Sequence, residues 1–408
     1  MPSFSIPLTG LESDNTALNT IANNLSNMST TGFKAQTTNF GDLLYQQFGA
    51  SGSGDPIQVG TGVSVSSTET DFSSGPVSGT GNTSDMAING GGFFVVQSGG
   101  AEELTRAGNF SVSPTGQLVA ASGAQVMGYP AAAGVINTNA PLGFITLPIG
   151  QVEAPNATTQ LSITANLNAT SAVGATVPAS AQIFDSLGVA HSASVTFTKT
   201  AANTWSYSIS LPAGDAAAAA NATGSLTFSS SGNPVSPVPA ITNVSFSGMS
   251  DGASSLNFSL NTVSPTGASL ITQVSGTSAV TNTVQDGYTS GNYTGFSVAG
   301  DGTVSATFSN GNTSPVGQLA IANIGNQQGL EDVGGNLYTT TIASGQAAVG
   351  TAGSGGRGTV EDSSLEGSNV DISTEFSDLI VAQRAFEANS KAITTFDTVT
   401  QEAINMIH

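Results

Sequence analysis

Toward its C-terminal end the chain repeats side chains at alternating spacings of three and four: Leu379, Ala382, Phe386, Asn389, Ile393, Phe396, Thr400, Ala403 and Ile407. Such spacing marks an α-helix that hides one narrow face against a partner helix. Asp371 is placed to cap its start, and no Pro or Gly interrupts the run to His408. A helix over 372–407 would be on the order of 50 Å long at about 1.5 Å per residue. Ordering each residue costs roughly 1–2 kcal/mol of backbone entropy, while each large buried side chain returns only about 1.5–3 kcal/mol. A half-dozen such side chains do not offset the ordering of so long a helix. The stripe demands a partner.

The other end of the chain offers one. Leu11, Leu18 and Leu25 fall in heptad steps, with Ile21 and Met28 between them and Asp14 breaking the pattern at the first intermediate position. Thr9 and Glu12 have the spacing of a capping box, and Gly32 is placed to stop the helix. Two destinations stay open for these stripes: the chain's own β core, where most amphipathic helices go, or each other and neighbouring subunits. Their position at the extreme ends, with no other helix in evidence, favours the second. On that reading Leu11, Leu18, Ile21, Leu25, Met28, Leu379, Ala382, Phe386, Ile393, Phe396 and Ile407 form a coiled-coil and polymerisation interface.

Between the ends the period becomes two. Phe93 to Val96 follow the turn Asn89-Gly90-Gly91-Gly92, and Phe110 and Val112 face Leu118 and Ala120 across Pro114-Thr115-Gly116, the pattern of a hairpin. Val195 and Phe197, then Trp205, Tyr207, Ile209 and Leu211, continue the alternation. Val304, Ala306 and Phe308 lie between two turn signals, Asp301-Gly302 and Asn310-Gly311. The stretches 49–62 and 345–358 read as linkers, and Ala216–Ala220 as a loop or short helical turn. A content of 50 Gly, with abundant Ser, Thr and Asn, suits sheets joined by many turns.

The charge balance excludes several functions. Net charge is −20, from 26 acids against six bases, and Lys34, Arg106, Lys199, Arg357, Arg384 and Lys391 are scattered along the chain. Nucleic acid and anionic membrane surfaces are therefore poor partners. No stretch approaches the roughly 18 apolar residues of a membrane span. There is no cysteine, which excludes disulfides and thiolate metal sites. That absence fits a cytosolic protein, or one exported unfolded. The start, Met1 to Ile6, lacks the basic and apolar regions of a cleaved secretory signal. The two histidines, His191 and His408, are too few for a His-based triad or a multi-histidine metal site. His191 reads as an exposed strand residue, and Asp185, Asp215, Asp251, Asp286 and Asp301 as turn residues. No enzyme and no cofactor are expected.

Specific motifs then point to a family. Leu8-Thr9-Gly10-Leu11, Ile21 to Asn27 (IANNLSN) and Thr31-Gly32-Phe33-Lys34 resemble the N-terminal signature of flagellar rod and hook proteins. Leu365 to Asp371 (LEGSNVD) and Val381 to Asn389 (VAQRAFEAN) resemble its C-terminal partner. Thr105 to Phe110 (TRAGNF) and Gly128-Tyr129 resemble the family's β segment between them. Ile183 to Gly188 (IFDSLG), with the return through Phe308 to Gly311 and Leu319 to Asn323, is similar to the extra domain that hook subunits carry. Val59 to Val63 and Ala87 to Gly90 look as much like the distal rod.

The resemblance implies a fold that is mainly β with α-helical termini. The terminal helices (1–32 and 366–408) would pair as a coiled coil, beside an inner β domain discontinuous in sequence (33–145 and 313–365). An outer β-barrel or sandwich domain would be inserted at 146–312, joined by two chain crossings near 146–150 and 310–315. It further implies a structural subunit of the bacterial flagellar hook, polymerising into a flexible extracellular tube that transmits torque from rod to filament. The implied partners are copies of itself, distal rod, hook-cap and hook-filament junction proteins, and the flagellar type III export apparatus. A distal rod subunit of the basal body and a β-rich surface adhesin are the competing readings.

Overall fold

The computed structural model describes residues 4–50 and 56–406. Two α-helices stand at its ends, α1 (Ser5–Ser26) and α2 (Ile372–Asn405), and strands make up almost all the regular structure between them. Asp371 caps α2 as its spacing suggests, accepting hydrogen bonds from the backbone N–H groups of Ser373 and Thr374. The start of α1 differs from the sequence expectation. Phe4 is the N-cap residue and makes no side-chain cap, while Pro7 occupies the first turn, where a missing N–H costs little. Thr9 and Glu12 are inside the helix, and the Thr9 hydroxyl donates to the Ile6 carbonyl instead of closing a capping box.

Gly32 is no helix stop either, since α1 ends at Ser26. Its backbone lies in the left-handed region at φ +68°, and a Cβ there would fall 2.6 Å from the Ala107 nitrogen. Glycine is required by a close chain approach, not by the helix terminus.

The chain divides into two units. The first comprises Met1–Ile149, Phe296–Ala306 and Ser314–His408. Its sheet is organised on Phe93–Ser98, whose first four side chains are all buried. Ala101–Thr105 pairs with it as a hairpin, while Gln125–Ala132 and Ile321–Asn323 also pair with it in antiparallel register. Further pairings join distant sequence: Thr359–Asp362 with Met86–Asn89, and Ser364–Glu366 with Val77–Gly79. The hairpin read at Phe110 to Ala120 is present, with Val112 opposite Leu118.

The second unit comprises Gly150–Gly295 and Thr307–Thr313. One of its sheets runs Thr176–Phe184, Ala190–Ala201, Thr204–Ser210, Thr223–Phe228 and Pro234–Ser236 in antiparallel order. The other is ordered Ala216–Ala220, Ala240–Met249, Leu256–Asn261, Gln160–Asn166 and Ile271–Thr272, with Ala279–Gln285 also on Gln160–Asn166. Alternate side chains of both sheets meet in one apolar core: Val195, Phe197 and Trp205 from the first, Ile163, Phe246 and Leu260 from the second. This is the packing of a sandwich, in which period-two alternation supplies the buried faces. The Trp205 ring is fully buried, and its N–H donates to Gln273 Oε1 at 3.0 Å.

Several expectations are corrected here. Ala216–Ala220 is an edge strand paired with Ala240–Met249, because cross-strand hydrogen bonding overrides the helical preference of alanine. Stretch 49–62 contains the strand Pro56–Val59, paired with Gln46–Ala50, while its residues 51–55 lie outside the described residues. Stretch 345–358 contains Ala348–Gly350, paired with Ile321–Asn323. The chain passes between the units four times instead of two, because strands Gly291–Val298 and Thr303–Phe308 each belong partly to both.

The sandwich core yields a direct test. Replacing the fully buried Ile163 with Ala should lower the stability of the second unit by about 2–5 kcal/mol. Trp205 fluorescence in a denaturant titration reads that loss. Val235→Ala, at a side chain 59% exposed, should cost less than about 0.5 kcal/mol.

Candidate assembly interface

The two terminal helices run antiparallel and touch along their lengths. The Phe4 ring meets Phe396 edge-on at 6.0 Å, Asn389 Nδ2 donates to Asp14 Oδ2 at 2.8 Å, and Asn24 Nδ2 donates to Glu375 Oε1 at 2.9 Å. Thus Asp14 and Asn389, the polar breaks in the two apolar stripes, face one another. Gly10 makes room for that contact, since a Cβ there would press into the Asn389 amide.

Leu11, Leu18, Ile21 and Leu25 are half-buried on α1. Leu379, Ala382, Phe386, Ile393 and Phe396 are half-buried on α2, and together with Asn389 and Thr400 they mark its less exposed face. Met28 lies beyond the end of α1 and is 44% exposed. Ile407 lies outside the described residues. α1 also touches its own β structure. Asn24 exchanges two hydrogen bonds with the Gln36 backbone, and the Thr38 hydroxyl donates to that of Thr20. Both destinations left open by the sequence are therefore used by α1.

α2 is different: none of its residues is fully buried. Ile372, Phe376 and Ile380 follow one another at four-residue steps and remain exposed, Phe376 by 48% and Ile380 by 59%. Beside the helix pair runs a groove of about 380 Å³, lined by Ala17, Ile21, Phe40, Val381, Ala382 and Ala385. Farther along, Leu44, Tyr45, Ile57 and Val59 are exposed on and beside the pair Gln46–Ala50 and Pro56–Val59. Among the described residues, these apolar side chains on the helix and the ribbon stay open to solvent.

A charged node fixes where the helices leave the β structure. Lys34 Nζ lies 2.6 Å from Glu366 Oε1 and Arg106 Nη1 lies 3.2 Å from Glu366 Oε2, with all three side chains buried. Lys34 also donates to the Ser73 carbonyl, Arg106 to the Ile88 and Gly90 carbonyls, and the Gly75 N–H to Glu366. Burial pulls the Lys34 ammonium below its ordinary range, against the opposing hydrogen bond and charge of Glu366. Asn369 completes the joint by accepting from the Ala35 N–H and donating to the Asp71 carbonyl. Sequence reasoning did not find this node. Its signal was there, because Lys34 and Arg106, two of only six bases, sit in separate family motifs and Glu366 sits in another.

A second convergence corrects the reading of the acids. His191 is buried, with Nδ1 at 2.9 Å from Asp215 Oδ2 and Nε2 at 2.9 Å from Asp185 Oδ2. Asp251 Oδ2 stands 3.7 Å from Nε2. Far from being an exposed strand residue, His191 gathers three turn acids that are separate in sequence. Asp301 does behave as a turn residue, accepting from the N–H and hydroxyl of Thr303.

Comparison with known proteins agrees with this architecture. Family models match residues 8–34 (flagella basal body rod protein), 87–166 (flagellar hook protein FlgE/F/G D1 domain), 156–288 (flagellar basal body protein FlaE D2 domain) and 361–406 (flagellar basal body rod FlgEFG protein C-terminal). The flagellar hook protein FlgE of Salmonella typhimurium is 34% identical over 419 residues, covering 99% of this chain and 100% of the relative. That of Treponema pallidum is 31% identical, covering 100% of this chain and 99% of the relative. The crystal structure of Helicobacter pylori flagellar hook protein FlgE2 shares the fold at a TM-score of 0.54 and 15% identity, over 70% of this chain and 99% of that one.

The buried node can be broken selectively. Glu366→Ala strands two cations away from water and should destabilise the first unit by about 3–5 kcal/mol. Far-UV circular dichroism should show the first unit melting earlier, while Trp205 fluorescence, which reads the second unit, keeps its midpoint.

Proposed function

The chain belongs to the flagellar hook protein FlgE family and is a structural subunit of the flagellar hook; we propose that its two terminal helices are the element through which the subunits polymerise. Family membership places the protein in the extracellular hook attached to the basal body, where it serves motility by assembling with copies of itself. Its relatives are structural hook proteins, not enzymes. The hook relatives match over the whole chain, including the inserted second unit, which favours hook over distal rod.

The observation that carries the proposal is the state of α2. A helix of 34 residues has no fully buried side chain within its own subunit, and it displays Ile372, Phe376 and Ile380 in addition to the face turned toward α1. Ordering such a helix is costly unless further apolar area leaves water, and neighbouring subunits in a polymer supply that area. In this reading α1 and α2 act as a coiled coil in the tube wall, with Leu18, Leu25, Leu379, Phe386 and Ile393 bearing load.

The outer surfaces suit bending. The chain carries only 8% charged residues, so contacts between outer units would be chiefly neutral and polar. Such contacts exchange partners at lower cost than desolvated ion pairs. Distal rod, hook-cap and hook-filament junction proteins, with export through the flagellar type III apparatus, complete the proposed set of partners.

Ile380→Asp tests the assembly role without touching the α1–α2 seam. The variant should keep the circular dichroism and melting temperature of the parent monomer yet form no tubes in negative-stain electron microscopy. A truncation lacking 373–408 should stay a β-rich monomer at high concentration. Tubes of ordinary form from either protein would refute the role given to α2.

A further inference from the structure

His191 is the second residue of the strand Ala190–Ala201, and Asp185 sits on the turn that joins it to Thr176–Phe184; both strands belong to the five-stranded sheet of the second unit. Asp215 immediately precedes Ala216–Ala220, and Asp251 follows Ala240–Met249. Those strands pair with each other at the edge of the opposite sheet, Ala216 against Met249. The imidazole thus bridges the two layers of the sandwich at one end.

Its protonation follows from geometry. A neutral imidazole has one N–H and one lone pair, so either tautomer would turn a lone pair toward a carboxylate oxygen at 2.9 Å. Only the doubly protonated ring can donate to both Asp185 and Asp215. Asp185 cannot swing away, because its other oxygen accepts from the N–H groups of Leu187 and Val189 at 2.8 and 3.0 Å. The charged groups that face the ring are Asp185, Asp215 and Asp251, one from each packed turn. We propose that His191 is held as an imidazolium that staples the two sheets of the second unit, and that alkaline pH opens the staple.

The electrostatics run the same way. Burial alone would lower the His191 pKa, but hydrogen bonds to Asp215 and Asp185, and their charges, outweigh it and raise it above the ordinary 6.5. Burial would raise the Asp185 carboxyl, and hydrogen bonds with Asp251, His191 and the Val189 and Leu187 backbone carry it below the ordinary 3.8. A raised histidine contributes stability that is complete below pH 6.5 and is lost as pH climbs through its folded value. A depressed carboxyl contributes stability above pH 3.8 that is lost as pH falls through its own folded value. The staple is closed between those limits. The hook stands outside the cell, so this ring answers to the pH of the surrounding medium.

The chain has a single tryptophan, Trp205, buried in the core of this same unit, so its fluorescence reports the unit's melting within the full-length protein. The melting temperature should be highest on the mildly acidic side of neutrality and fall as pH rises into the alkaline range. His191→Gln, which cannot titrate, should abolish that decline. A parent melting temperature that stays flat from pH 6 to 9, or an equal decline in the variant, would overturn the proposal.

A second measurement does not depend on the variant folding. With only two histidines in the chain, imidazole NMR on the parent should show one ring carrying two N–H protons at pH 7 and titrating above 6.5. Asp215→Asn should move that midpoint down. A neutral single tautomer at pH 7, or a midpoint that moves on adding Zn²⁺ or EDTA, would remove the staple from consideration.

Discussion

One buried carboxylate settles where the two ends of this chain come together. Glu366 receives Lys34 on one oxygen and Arg106 on the other, from positions that are remote in sequence. Closing so long a loop is unfavourable in entropy, although the cost grows only logarithmically with length. Desolvating three charges is also costly; carbonyls of Ser73, Ile88 and Gly90 and the N–H of Gly75 offset part of that cost, while Arg106 Nε stays buried without a partner. An apolar replacement of similar volume could hold the joint as firmly, but it would not discriminate among alternative strand alignments as a three-membered charge set does. α1 runs into this joint and α2 runs out of it alongside α1, antiparallel. Their pairing is therefore a consequence of where the β structure anchors them.

The helices carry a complementary incompleteness. α1 is supported on one side by its own strands through Asn24 and Thr20, and on the other by α2. α2 has support on one side only. Each β unit has its own packed core, one around Phe93, Tyr129 and Tyr338 and the other around Phe197, Trp205 and Phe246. α2 meanwhile keeps Ile372, Phe376 and Ile380 exposed. On the proposed reading, folding and assembly are separated: the strands hold the subunit's own fold, and the helices build the polymer.

What the sequence reveals, and what it hides, follows the range of the interactions. Local periodicity and capping chemistry are legible. The C-terminal helix with its Asp371 cap, the continuous buried run Phe93 to Val96, and the alternating strands around Phe197 and Trp205 appear in the structure as read. Ala216–Ala220 was opaque because alanine favours a helix locally, and only the distant strand Ala240–Met249 makes it extended. Thr9 and Glu12 have capping-box spacing, but the helix had already begun one turn earlier. The acids around His191 look like isolated turn residues because each does occupy a turn. Their common destination depends on how two sheets stack, which no window along the chain contains.

The hydrogen bond between Asp14 and Asn389 has a consequence for how such a structure can grow without error. Sliding one helix by a heptad along the other would set a carboxylate against hydrocarbon and leave an amide without an acceptor. A seam of leucines and phenylalanines alone would accept several alignments almost equally. The polar pair works as a tooth and notch that singles out one alignment of the two helices.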